Sequence, residues 1–121
     1  MGNTLDSLQE AAILLSQNGP IKERLAQAYL RHLASIEPAQ LPDAFHGDFR
    51  DLCEAMSRER PLPRENPVRA SVRKMSTEEA SRHAALVVRL YAAVARSGGM
   101  GSPLPRTPVL APVLQLFAAE G

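Results

Sequence analysis

The chain of 121 residues contains no tryptophan and a single cysteine, Cys53. A lone cysteine excludes an intrachain disulfide and fits a reducing compartment, so the expected location is the cytoplasm. Aromatic residues make up only 4% of the chain, so its core has to come from Leu, Ala, Val and Ile, which suits closely packed helices. Charge of one sign is also lacking. The formal net charge of +1 predicts no strong global attraction to nucleic acid or an anionic membrane. No apolar run approaches the roughly 20 residues of a membrane span. The first residues lack a basic region followed by an apolar run, so no signal peptide is expected. Asp6 stands where a myristoylation start requires Ser or Thr.

Motifs of common chemistry are missing as well. There is no Gly-x-Gly-x-x-Gly and no Gly-x-x-x-x-Gly-Lys-[Ser/Thr], so no phosphate-cradling loop is expected. No turn motif presents a nucleophilic serine. No stretch alternates in the manner of a strand, and no internal repeat is visible.

What is present is helical periodicity. Its longest run is Ser76–Ser97. Ser76 is placed as an N-cap with Glu79 in the capping-box position. Glu78 and Glu79 open the helix and Arg96 closes it, in agreement with the helix dipole. Ala80, Ala84, Val87, Tyr91 and Val94 form the expected stripe, and Gly98 and Gly99 end the run. Residues 4–17 read as a first helix with Leu5, Leu8, Ala12 and Leu15 inward and Thr4 as its cap. Asn18-Gly19-Pro20 breaks it. Residues 20–36 form a second helix, with Ile21, Leu25, Ala28, Tyr29, His32, Leu33 and Ile36 on a broad apolar face. Residues 42–57 form a third, with Leu41, Phe45, Phe49, Leu52 and Met56 inward. Gly47 in its interior calls for a close helix crossing or an irregular first turn. Residues 58–67, with three prolines, read as a loop, and Pro67 starts a short helix through 75, with Val68, Val72 and Met75 inward.

The expected fold is all-α, a four-helix up-and-down bundle-like domain over residues 1–97 with one short extra helix. Residues 98–121 differ. Pro103, Pro105, Pro108 and Pro112 read as an arm, followed by an apolar docking segment of Leu110, Val113, Leu114, Leu116 and Phe117. Pro105 and Pro108 also make a weak PxxP pattern.

Four constellations bear on chemistry. His32, His46 and His83 fall on three different helices and with Cys53 include acceptable zinc ligands, but no pair has the local spacing of a metal motif. His83 lacks the lysine and glycine neighbours of a phosphotransfer histidine. Cys53, flanked by Asp51 and Glu54, has no cause for a lowered pKa and reads as a partly buried core thiol. Asp48, Asp51 and Glu54 share one helix face and read as a solvated, salt-bridged surface. No catalytic, cofactor or metal residue is assigned.

The basic segment is more suggestive. Arg58, Arg60, Arg64, Arg69, Arg73 and Lys74 fall within seventeen residues against Glu59 and Glu65, for a local charge of +4. Such a patch suits an anion, nucleic-acid phosphates or an acidic protein. It suits equally the acidic face of the third helix. No aromatic interleaves it for base stacking.

The runs AQAYLRHLASIEP, LPDAF and VRASVRKMSTEEASRHAALVVRLYAAVA resemble small uncharacterised helical proteins of proteobacteria, over roughly Ile21 to Arg96. The resemblance implies a compact bacterial domain and carries no catalytic residue. The sequence thus points to a non-enzymatic protein-interaction or regulatory module that takes a protein partner or a second copy of itself. A nucleic-acid-associated protein using residues 58–74 is the alternative.

Overall fold

A computed structural model describes residues 3–97. These fold into five α-helices, α1 Thr4–Leu15, α2 Ile21–Ala28, α3 His46–Ala55, α4 Pro67–Lys74 and α5 Thr77–Arg96, with no strand among the described residues. The arm and docking segment expected at 98–121, including Leu110, Val113, Leu114, Leu116 and Phe117, lie outside the described residues.

Local chemistry accounts for the helix ends. Asn3, rather than Thr4, caps α1, its side-chain oxygen accepting from the Asp6 N–H at 2.8 Å. At the other end, Arg24 donates to the carbonyls of Leu15 and Gly19, so a side chain from α2 closes the end of α1. Gly19 takes φ +106, a left-handed turn that glycine adopts without strain. Asn66 caps α4, and Pro67 follows it at the first helical position, where a missing N–H costs nothing. Ser76 caps α5 as expected, accepting from the Glu79 N–H at 2.9 Å. The Glu79 carboxylate does not return to the Ser76 backbone. Arg58 donates to it at 2.8 Å and His83 approaches it at 3.3 Å.

Two segments depart from the expected helices. The second helix does not run regularly to residue 36. After Ala28 it widens into a π turn over Tyr29–Leu33, in which the Ala34 N–H donates to the Tyr29 carbonyl five residues back at 2.9 Å. Periodicity alone could not reveal this, because Tyr29, Leu33 and Ile36 remain buried at spacings that also fit an α-helix. The third helix begins late. The 3-10 turn Asp43–Phe45 occupies its expected first turn, and α3 starts at His46. A Cβ added to Gly47 meets nothing within 4 Å, so no close crossing accounts for this glycine, and its place inside α3 without a left-handed φ does not require one.

α1 packs against α5 and α2, and α2 against α5 and α4. Leu8, Leu25, Leu33, Phe49, Leu52, Met56, Val87 and Leu90 are fully enclosed in one core. Each large side chain removed from water contributes about 1.5–3 kcal/mol toward offsetting chain entropy. The buried face of α5 is rotated from the expected stripe. Ala80, Val87 and Val94 are buried, but Leu86 and Leu90 join them while Ala84 and Tyr91 are only half-buried. The larger leucines draw the core face toward themselves because they have more apolar surface to bury.

Candidate functional site

The π turn gives the most distinctive surface. Beside it a groove of about 330 Å³ runs between α1 and the turn, lined by Glu10, Ile13 and Leu14 with Gln17, Arg31 and His32. Ile13 projects off the core side of α1 and remains 44% exposed. Leu30, next to Arg31, is also exposed. The groove thus joins aliphatic surface to one carboxylate, one guanidinium and one imidazole. A second hollow near Asn3, Ser35 and Gln40 holds about 140 Å³ and is almost wholly polar.

The basic segment is largely neutralised within the molecule. Arg58 pairs with Glu79 at 2.8 Å, Arg69 with Glu23 at 2.5 Å and Lys74 with Glu59 at 3.9 Å. Arg73 grips Glu65 through Nε at 2.9 Å and Nη2 at 3.0 Å. The Arg73 bonds and the Leu62 N–H together hold the Glu65 carboxyl down at about 2. Arg69 and Gln27 lower Glu23, and Arg58 lowers Glu79. Lys22 donates to the Arg73 carbonyl at 3.1 Å and so closes the end of α4. These contacts brace α4 on α2 and fasten the 58–66 connection to both α4 and α5. The buried Ser71 hydroxyl adds a further tie by accepting the Glu59 N–H at 3.1 Å.

Arg60 and Arg64 are exposed and form no ion pair among the described residues. Arg64 has φ +69, with Pro63 before it. The Glu65 N–H donates to the Leu62 carbonyl at 3.0 Å, which is the pattern of a type II turn. The turn, not a ligand, accounts for that backbone. The acids of α3 are not the partners of the basic segment: Asp48, Asp51 and Glu54 are exposed and form no ion pair among the described residues.

The histidines do not converge. His32 lines the groove. His46 lies against the Leu41 carbonyl at 2.9 Å, with Asp43 at 3.7 Å. His83 faces Glu79. Among the described residues no three His, Cys, Asp or Glu side chains gather as a metal set. Cys53 is half-buried beside the Tyr29 phenol. Burial, and next the thiol, push that phenol above its ordinary value. No helix of the described residues is long and apolar enough to cross a membrane.

Sequence reasoning missed Glu10, Ile13 and Arg31 as groove residues. An isoleucine placed off the Leu8–Leu15 stripe was the one available signal for Ile13. Nothing in the sequence marked the π turn that sets Arg31 and His32 beside it. The chain matches no protein-family model, no curated protein and no solved structure.

Proposed function

We propose that the protein is a small bacterial, cytoplasmic interaction module that docks a protein partner in the groove between α1 and the π turn. The supporting observation is the exposure of Ile13 in a concave site beside an irregular helical turn. π turns give up regular hydrogen-bond geometry and concentrate at functional sites. A volume of about 330 Å³ is at the small end for a small-molecule site and suits one or two partner side chains. The partner contributes an apolar side chain against Ile13 and Leu14, a carboxylate toward Arg31 and a donor toward Glu10. The proposal assigns no catalytic step. It carries with it the bundle-like arrangement in which α1, α2, α3 and α5 are the four main helices and α4 is the short extra one.

The alternative, phosphate binding by residues 58–74, is opposed by the ion pairs of that segment. A phosphate there would have to displace carboxylates of the same chain from Arg58, Arg69 and Arg73.

The test is affinity capture with the native chain, Ile13→Asp and the control Leu62→Asp, which alters an exposed leucine elsewhere. A stoichiometric protein held by the native chain and the control but lost with Ile13→Asp supports the groove. Equal retention by Ile13→Asp refutes it. A salt-sensitive nucleic-acid absorbance co-purifying with all three proteins would instead favour the alternative.

A further inference from the structure

Large apolar side chains left exposed among the described residues are Ile13, Leu30, Leu62 and Val88. Two of these four stand at the α1 groove: Ile13 lines it, and Leu30 belongs to the π turn that forms its other wall. Glu10 and Arg31 add one charge of each sign to the lining, and neither has an ion-pair partner among the described residues. The same chain carries a segment of matching character. From Thr107 to Ala119 it has no charged residue, and Leu110, Val113, Leu114, Leu116 and Phe117 place five large apolar side chains within eight positions. Such a run left in water forfeits the burial that stabilises every other apolar stripe of this chain. Pro112 suits the first position of a helix, and in a helix that follows it Leu114 and Phe117 are i, i+3 neighbours that project together.

We propose, resting on the reading of the groove as a docking site, that in the free chain this site is held by its own segment Leu110–Phe117, which a protein partner has to displace. Leu114 and Phe117 lie against Ile13 and Leu14, and a hollow of about 330 Å³ suits such a pair. Glu120, three residues beyond Phe117, supplies the carboxylate for Arg31.

Chain length permits this seat and favours it over the other occupants. The described residues end at Ser97, so residues 98–110 lead from the end of α5 to Leu110. At about 3.3–3.6 Å per residue these thirteen residues reach about 43–47 Å. The 20 residues of α5, the longest helix described, measure about 30 Å, so the groove is within reach of the tail. A tether of this kind holds its end at an effective concentration on the order of millimolar. A second copy supplying the same segment has to exceed that concentration, whereas a partner can displace the tail through affinity.

Hydrogen exchange read by mass spectrometry on the full-length native chain tests the proposal. Amides of residues 113–119 should exchange at least about tenfold more slowly than in a free peptide of the same sequence. Ile13→Asp should return them to the free-peptide rate, and Leu62→Asp should not. Leu114→Asp should release the tail as well, and it carries the test if the circular-dichroism melt shows that Ile13→Asp does not fold. A groove open about one-tenth of the time weakens a partner about tenfold, so Leu114→Asp should raise partner affinity by that factor. Free-peptide exchange in the native chain would overturn the proposal, as would protection that Ile13→Asp leaves intact, which would seat the tail elsewhere. Protection that grows with protein concentration alongside a dimer in light scattering would give the groove to a second copy's tail, with the same consequence. The two readings of the groove fail separately. An unprotected tail with a partner lost on Ile13→Asp strikes the tail and leaves the docking site standing. A protected tail released by Ile13→Asp, with no partner lost on that substitution, upholds the seat and removes the partner.

Discussion

Two glycines with the same open surroundings should respond to alanine with opposite sign. A Cβ built on Gly19 or on Gly47 meets nothing within 4 Å, so neither substitution creates a clash. The difference lies in the backbone. Gly47 is in the first turn of α3 with no left-handed φ, whereas Gly19 has φ +106. In Gly47→Ala the methyl restricts the unfolded chain and favours helix, for a gain of about 0.5–1 kcal/mol. In Gly19→Ala the methyl enforces a left-handed residue that L side chains resist, at a cost of about 1–2 kcal/mol. For a domain of this size 1 kcal/mol moves the melting temperature by about 4–8 °C. Gly47→Ala should therefore melt about 2–8 °C higher than the native protein, and Gly19→Ala about 4–16 °C lower. Thermal melts at 222 nm read both directly. A lower melting temperature for Gly47→Ala would mean that another helix does approach there, reviving the close crossing. A neutral Gly19→Ala would mean that the turn between α1 and α2 relaxes without cost, and that its geometry is not set by the glycine.

Val87 is fully enclosed on α5, so Val87→Asp buries a carboxylate without a partner and should unfold the chain. A native-like melt for that variant would refute the assignment of the α5 core face. Ser76→Ala removes the acceptor of the Glu79 N–H and should cost about 1 kcal/mol in urea unfolding, and no change would mean that water replaces the hydroxyl without loss. Glu65 is depressed to about 2 from an ordinary 4.5, with Glu23 and Glu79 depressed as well. Their contribution is therefore fully present above about pH 4.5 and is lost as pH falls toward 2. Arg73→Gln frees Glu65, so its stability deficit relative to the native chain should hold constant from pH 7 to 5 and close on further acidification. A deficit that persists unchanged at pH 2 would show that Arg73 acts through packing rather than through the carboxylate.

The helices were legible because their signals are local. Ser76 and Glu79, Pro67 and Gly19-Pro20 mark boundaries through the backbone groups they satisfy or remove within a few residues. Stripes such as Phe49, Leu52 and Met56 need only the helical period to be recognised. The π turn at Tyr29–Leu33 was not legible, since one extra residue per turn leaves Tyr29, Leu33 and Ile36 at spacings that an α-helix also permits.

The candidate sites were less legible, because a list of arginines carries no information about their partners. Residues 58–74 hold the densest positive charge in the chain, yet Arg58, Arg69 and Arg73 are engaged by Glu79, Glu23 and Glu65, which lie 21, 46 and 8 residues away. Arg82, Arg89 and Arg96 are spread thinly along α5 and attract no notice in a count, but they form no ion pair among the described residues.

The sequence by itself determined an all-helical chain, where most helices start and stop, and which aliphatic positions face inward, because capping and periodicity act over four residues or fewer. Only the tertiary structure decided which charges are satisfied among the described residues, and that α1 and a widened turn enclose a groove. Those properties depend on contacts between residues far apart in the chain.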